Sequence, residues 1–134
     1  MRRTTLGRSP DSGLRRVLVV IGAMTVVSGA VQAAAPHRLL RLLSAKEDDT
    51  ARTMFATVGM FMVVAGGTLL QGLLSPVRQP VIVLWAAAQK LGAAVAVTTG
   101  VRRGVYSPLA LLVAGFDLLT SIAAAVRWTR IRKA

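Results

Sequence analysis

The 134-residue chain has no cysteine, so disulfides, thiol nucleophiles and thiolate metal sites are excluded. It has one histidine, His37, and a lone imidazole cannot build a multi-histidine metal centre. Aromatic residues make up 4% of the chain. Acidic residues number five, against seventeen basic ones. Three of the five, Glu47, Asp48 and Asp49, are consecutive, which leaves Asp11 and Asp117. Adjacent acids on a helix point in different directions. The triplet therefore reads as helix capping and solvated charge, not as a metal cluster, and no metal or cofactor is expected.

Charge is scarce overall at 16%, while 54% of the residues are hydrophobic, too apolar a balance for an ordinary soluble domain of this length. The apolar residues gather in four runs, at residues 17–35, 51–74, 81–101 and 105–126. Each is about the length needed to cross ~30 Å of hydrocarbon as a helix. The runs are continuous and do not alternate, which argues against a membrane barrel. The expected fold is all-α: a four-helix transmembrane bundle with short loops, up-down-up-down. It is flanked by a basic tail over residues 1–16 and a second over 129–134. No internal repeat is visible.

Arg15-Arg16 before the first run and Ala33-Ala34-Ala35 after it resemble a secretory signal. The 19-residue run is longer than the usual ~7–15 of a signal core, and Pro36 would occupy the first mature position, so a retained first span is expected. Turn chemistry in Ser9-Pro10-Asp11-Ser12-Gly13 places that segment in the tail. Gly22, Thr25, Gly29 and Gln32 fall at helical spacing and form a small-and-polar stripe for helix packing. Gly59, Gly66 and Gly67 suggest a close backbone contact for the second span. His37 to Leu43 is a short amphipathic piece, either interfacial or a continuation of the first helix. Ser44 and Glu47 fit a capping box, with Asp48 and Asp49 in the first turn. Pro80 suits the first position of the third span, and Ser107-Pro108 reads as a cap followed by proline at the start of the fourth.

A net charge of +12 in a soluble protein would point to nucleic acid. Here the basic residues sit at the ends of the apolar runs and report topology. Ten lie in the N-terminal tail, at Arg78 and in the C-terminal stretch from Arg127 to Lys133; six lie in the other two connections. The positive-inside rule puts both termini in the cytoplasm. Arginine and alanine abundance suggests a high-GC bacterium, hence the inner membrane. The expected partners are the bilayer and anionic lipid head groups at the basic tails. A homo-oligomer or a membrane-protein partner is a further expectation, and no nucleic acid is expected.

Two charges interrupt the runs. Lys90 lies ten residues past Pro80, about 15 Å along its helix, and Asp117 lies nine past Pro108, about 14 Å along an antiparallel one. Both come near the midplane of a ~30 Å core. Intramembrane ionisable residues are costly and mark functional sites by default. Ala86, Ala87, Ala93, Ala94 and Val97 share the face of Lys90. Ala110, Val113, Ala114, Thr120, Ser121 and Ala124 share that of Asp117. The pair is either a structural clasp or a proton or ligand site lined by Gln89, Thr120 and Ser121.

With Gly59, Gly66 and Gly67, the segments Ala88-Gln89-Lys90-Leu91-Gly92 and Gly115-Phe116-Asp117-Leu118-Leu119 resemble small bacterial four-helix membrane proteins, loosely DoxX-like in layout. In these a lysine in helix 3 follows a glycine-rich helix 2 and precedes an aspartate in helix 4. The resemblance covers roughly residues 51–128 and implies a four-span fold but no activity. The expected function is that of a non-enzymatic accessory or partner-binding membrane subunit with no catalytic residues. The alternative is a small proton-coupled carrier using Asp117 and Lys90.

Overall fold

The computed structural model describes residues 10–133. They form five helices: α1 Pro10–Ala34, α2 Pro36–Leu42, α3 Asp49–Leu74, α4 Pro80–Arg102 and α5 Ala110–Ile131. No strand occurs among the described residues. The four long helices run up-down-up-down. Each has 22 to 26 residues, which at ~1.5 Å per residue exceeds ~30 Å. All four are long and apolar enough to cross a membrane.

The bundle is two tight pairs. α1 packs along α3 and α4 along α5, while α1–α5 and α3–α4 contacts are sparser and close the ring. In the first pair the sequence stripe is the interface: Gly22, Thr25, Gly29 and Gln32 are all buried. A Cβ on Gly59 would lie 2.6 Å from the Ala33 nitrogen and 2.7 Å from the Gly29 carbonyl oxygen. A Cβ on Gly66 would lie 3.0 Å from the Gly22 oxygen. Two levels of glycine on glycine thus bring the backbones together, two turns apart. The Gln32 amide closes the far end by donating to the Phe55 carbonyl at 2.9 Å. Gly67 does not share this role, because a Cβ there meets nothing within 4 Å. One residue beyond Gly66 is ~100° around the helix, so Gly67 points past the α1 contact.

The second pair is held by small residues and polar groups. Val83, Ala87, Lys90 and Ala94 are buried on α4, facing Ala110, Ala114, Asp117, Ser121 and Ala124 on α5. Val113, expected on this face, is exposed. At the end that carries the termini, Leu18, Leu69, Leu73, Val83, Ala87, Ala124 and Ile131 form one apolar cluster contributed by all four long helices.

Several boundaries differ from the sequence expectation, each for a local reason. Residues 10–16 are the first turns of α1, not tail, with Pro10 at the favoured first helical position. Residues 1–9 of the expected tail, and Ala134 of the other, lie outside the described residues. Helix α2 is separate from α1, broken at Ala35 (φ −138°, ψ 57°). Ser44 does not cap α3. It is the left-handed residue (φ 53°) closing α2, where Ser44 N–H donates to Arg41 O and Ala45 N–H to Leu40 O. The N-cap of α3 is Asp48, whose carboxylate accepts from Ala51 N–H at 2.7 Å. Ser107 caps nothing through its side chain, and Pro108-Leu109 form a turn of i to i+3 bonds before α5 starts at Ala110. The fourth span is thereby displaced from 105–126 to residues 110–131, and it absorbs part of the expected C-terminal tail.

The glycine contacts make opposite forecasts for two glycines of α3. Gly59→Ala forces backbone apart and should cost about 1–3 kcal/mol, as overpacking does. Gly67→Ala should be neutral or gain up to ~1 kcal/mol of helix propensity. Thermal unfolding of the two variants in one detergent separates them; equal behaviour rules out the α1–α3 register described.

Candidate functional site

Helices α4 and α5 run antiparallel, with Lys90 opposite Asp117 and Ala87 opposite Ser121. The Lys90 ammonium Nζ donates to Asp117 Oδ1 at 2.7 Å. Both residues are buried, at 5% and 6% exposure. The ring of Phe116 lies 5.8 Å from Nζ, within cation–π range. Alanines at 87, 94, 110, 114 and 124 are what let the two helices approach closely enough for a direct bond.

The expected pocket residues are brought near but are committed elsewhere. Ser121 Oγ donates across to the Ala87 carbonyl at 2.8 Å. Thr120, 2% exposed, turns back to the Phe116 carbonyl one turn earlier, at 2.8 Å. Back-bonding of this kind satisfies a hydroxyl where water is absent; Thr25, Thr68 and Thr99 do the same. Gln89 is half-buried beside the pair in sequence, but it makes no hydrogen bond to Lys90 or Asp117. The arrangement is therefore a charge pair with a second, hydroxyl-to-carbonyl link one turn away, joining the same two helices.

A second ion pair escaped the sequence reading because Asp11 was assigned to the N-terminal tail and Arg127 to the basic end past the fourth span. Arg127 of α5 is 8% exposed, and its Nη1 lies 2.9 Å from Asp11 Oδ1 on α1. The same Nη1 donates to the Asp11 carbonyl at 3.4 Å. Asp11 Oδ1 and Arg127 Nε are buried without hydrogen bonds of good geometry, so this contact is held by charge more than by direction. Beside it Arg15 Nε donates to the Leu73 carbonyl at 2.7 Å, capping the end of α3. The signal available was spacing: Asp11 and Arg15 are one helical turn apart, and Arg127 lies ten residues past Asp117 on a continuing helix.

The acidic triplet lies at the opposite end of the bundle. Glu47 accepts from Arg52 Nε at 2.9 Å and from Arg41 Nε at 3.3 Å, and Asp49 from Arg52 at 3.3 Å. Desolvation pushes the Glu47 carboxyl up, but the two guanidinium bonds and their charge outweigh it and hold the pKa below the ordinary value of 4.5. Capping and ion pairing use all three acids.

Compared with protein-family models, curated proteins and solved structures, the chain matches none.

Two tests follow from these contacts. Removing one member of a buried pair leaves the other uncompensated, at a typical cost of about 3–5 kcal/mol, whereas an apolar replacement of both is often neutral. Asp117→Ala or Lys90→Met alone should sharply lower thermal stability in detergent, and the Lys90→Met/Asp117→Leu double variant should recover most of it. If the double loss equals the sum of the single losses, the pair carries no coupling. For Glu47, a lowered folded pKa means a stabilisation that is complete above the unfolded value and vanishes as pH falls through the folded one. The unfolding-temperature gap between wild type and Glu47→Gln should therefore persist from pH 7 down to about 4.5 and close only below it.

Proposed function

We propose that the chain is a multi-pass protein of a bacterial inner membrane, with both termini cytoplasmic, and that it acts as a non-enzymatic accessory or partner-binding subunit. The membrane assignment rests on the outward surface. Val20 and Val27 of α1, Met54, Phe61 and Val64 of α3, Trp85 and Val95 of α4, and Leu112 and Leu119 of α5 are each more than half exposed, so all four long helices turn apolar side chains outward. A soluble monomer rarely exposes so continuous an apolar surface. The orientation rests on the ten-to-six division of basic residues. Anionic head groups attract the basic tails.

The observation that carries the accessory reading is the sealing of the Lys90–Asp117 pair. A carrier needs a carboxylate that exchanges its partner for a proton or ligand. Here Asp117 holds the ammonium at 2.7 Å with both residues almost wholly buried, and the nearest hydroxyls are spent on backbone carbonyls. The pair is used to join α4 to α5. A bundle clasped in this way offers its outer helical faces, to a second copy or to another membrane protein, rather than an internal reaction site.

Reconstitution into vesicles loaded with a pH-sensitive dye tests this reading. The expected result is proton flux no greater than in empty vesicles, unchanged by Asp117→Asn, together with a defined oligomer or a stoichiometric partner after mild-detergent purification. Flux that disappears with Asp117→Asn reverses the assignment in favour of the proton-coupled carrier.

A further inference from the structure

At the end of the bundle away from the termini, the α2–α3 loop folds over the head of α3. The α4–α5 turn is tied to it by one backbone bond, Ser107 N–H donating to the Leu43 carbonyl at 2.9 Å. Between the two loops lies a half-open cleft of about 660 Å³. Its floor is apolar, with Leu40 buried and Phe55 partly so. Its wall is apolar and open: Met54, Val58 and Val105 are 64%, 51% and 49% exposed. Lys46 and Arg103 also line it, and both are exposed.

The charges around this cleft do not balance. Every acid of the neighbouring loop is already engaged: Glu47 by Arg41 and Arg52, Asp49 by Arg52, and Asp48 by the Ala51 amide. Among the described residues, the only ion pairs are those of Arg41, Arg52, Lys90 and Arg127, so Lys46 and Arg103 face the cleft without a carboxylate partner. Two unpaired cations stand over an apolar groove at the end of helices long enough to span a bilayer. This combination complements one ligand chemistry, a phosphate-bearing headgroup attached to an acyl chain. The turn geometry preserves the opening. Gly104, at φ +71°, closes α4 in the left-handed conformation, and Tyr106 folds back onto Gly100, where a Cβ would come within 2.6 Å of its ring.

We propose that this cleft binds one anionic phospholipid from the leaflet opposite the termini. Lys46 and Arg103 hold the phosphate, and an acyl chain lies along Met54, Val58 and Val105. The site rests on the membrane placement argued above but not on the accessory role, and it is distinct from diffuse attraction at the basic tails, which lie at the other end.

Native mass spectrometry of the full chain in a neutral detergent tests it, with phosphatidylglycerol, phosphatidylcholine or glycerol phosphate added. One phosphatidylglycerol should be retained per chain, in preference to phosphatidylcholine, and glycerol phosphate alone should not be retained. The Lys46→Gln/Arg103→Gln variant should bind phosphatidylglycerol about thirty-fold more weakly, from roughly fivefold per interfacial cation. Its unfolding temperature in lipid-free detergent should be unchanged, because neither side chain has an ionic partner to lose. Arg38→Gln/Arg102→Gln, two exposed cations outside the cleft at the same end, should bind as wild type does. Val58→Trp, which fills the groove and leaves every charge in place, should also weaken retention. Equal retention of the two lipids, equal loss in the control variant, or retention of glycerol phosphate as strong as that of the lipid overturns the proposal.

Discussion

An ammonium and a carboxylate cannot stay charged in an apolar interior unless each is the other's solvent. The Lys90–Asp117 contact meets that condition at 2.7 Å, and much of the α4–α5 half follows from it. Direct contact needs the two backbones close, which is why alanine and serine occupy the facing positions rather than leucine. It also fixes register. Sliding α5 by one turn would bring the ammonium against Ala114 or Ser121 and leave the carboxylate unpaired. The Ser121-to-Ala87 bond is made only in the register that pairs the charges, so the two interactions reinforce each other.

The other half of the bundle solves the same problem with no charge. Between α1 and α3 the close approach comes from glycines stacked at two levels, with the Gln32 amide supplying a polar tie to Phe55. Glycine allows contact but discriminates register weakly, because a neighbouring small residue would fit nearly as well. The directional bonds at the two ends of this pair add the discrimination: Gln32 at one end and Arg15, on the Leu73 carbonyl, at the other. Arg127 then reaches from α5 to Asp11 on α1 and joins the two halves where their shared apolar cluster lies.

The spans and the buried pair were legible in the sequence because both depend on strong, local signals. Some twenty apolar residues have few alternative fates in water or lipid, and two isolated charges inside such runs must find each other. The stripe Gly22, Thr25, Gly29 and Gln32 was legible for the same reason, since small and polar residues at helical spacing mark a face. What was not legible depended on tertiary partners. Proline, aspartate, serine and glycine at residues 10–13 have the composition of a turn, yet they begin α1 because Asp11 gains Arg127 and Arg15 gains the end of α3. Ser44 and Asp48 are equally good caps by type, and only the left-handed closure of α2 at Ser44 assigns the cap to Asp48. Gly67 carried the same sequence signal as Gly66, and a 100° rotation separates their roles.

The distribution of tight and loose contacts bears on what the bundle can do. Within each helix pair, separation would expose either glycine-lined backbone or two unpaired charges, so each pair is held as a unit. Between the pairs the contacts are sparser, and they are reinforced at the terminal end by the seven-residue apolar cluster and by Asp11–Arg127. At the opposite end, among the described residues, one backbone hydrogen bond from Ser107 to Leu43 joins the two loops beside an open cleft. The bundle is thus closed at one end and accessible at the other. Any ligand or partner that inserts between the two halves does so with least disruption from the Lys46–Arg103 side, without breaking the clasp that holds α4 to α5.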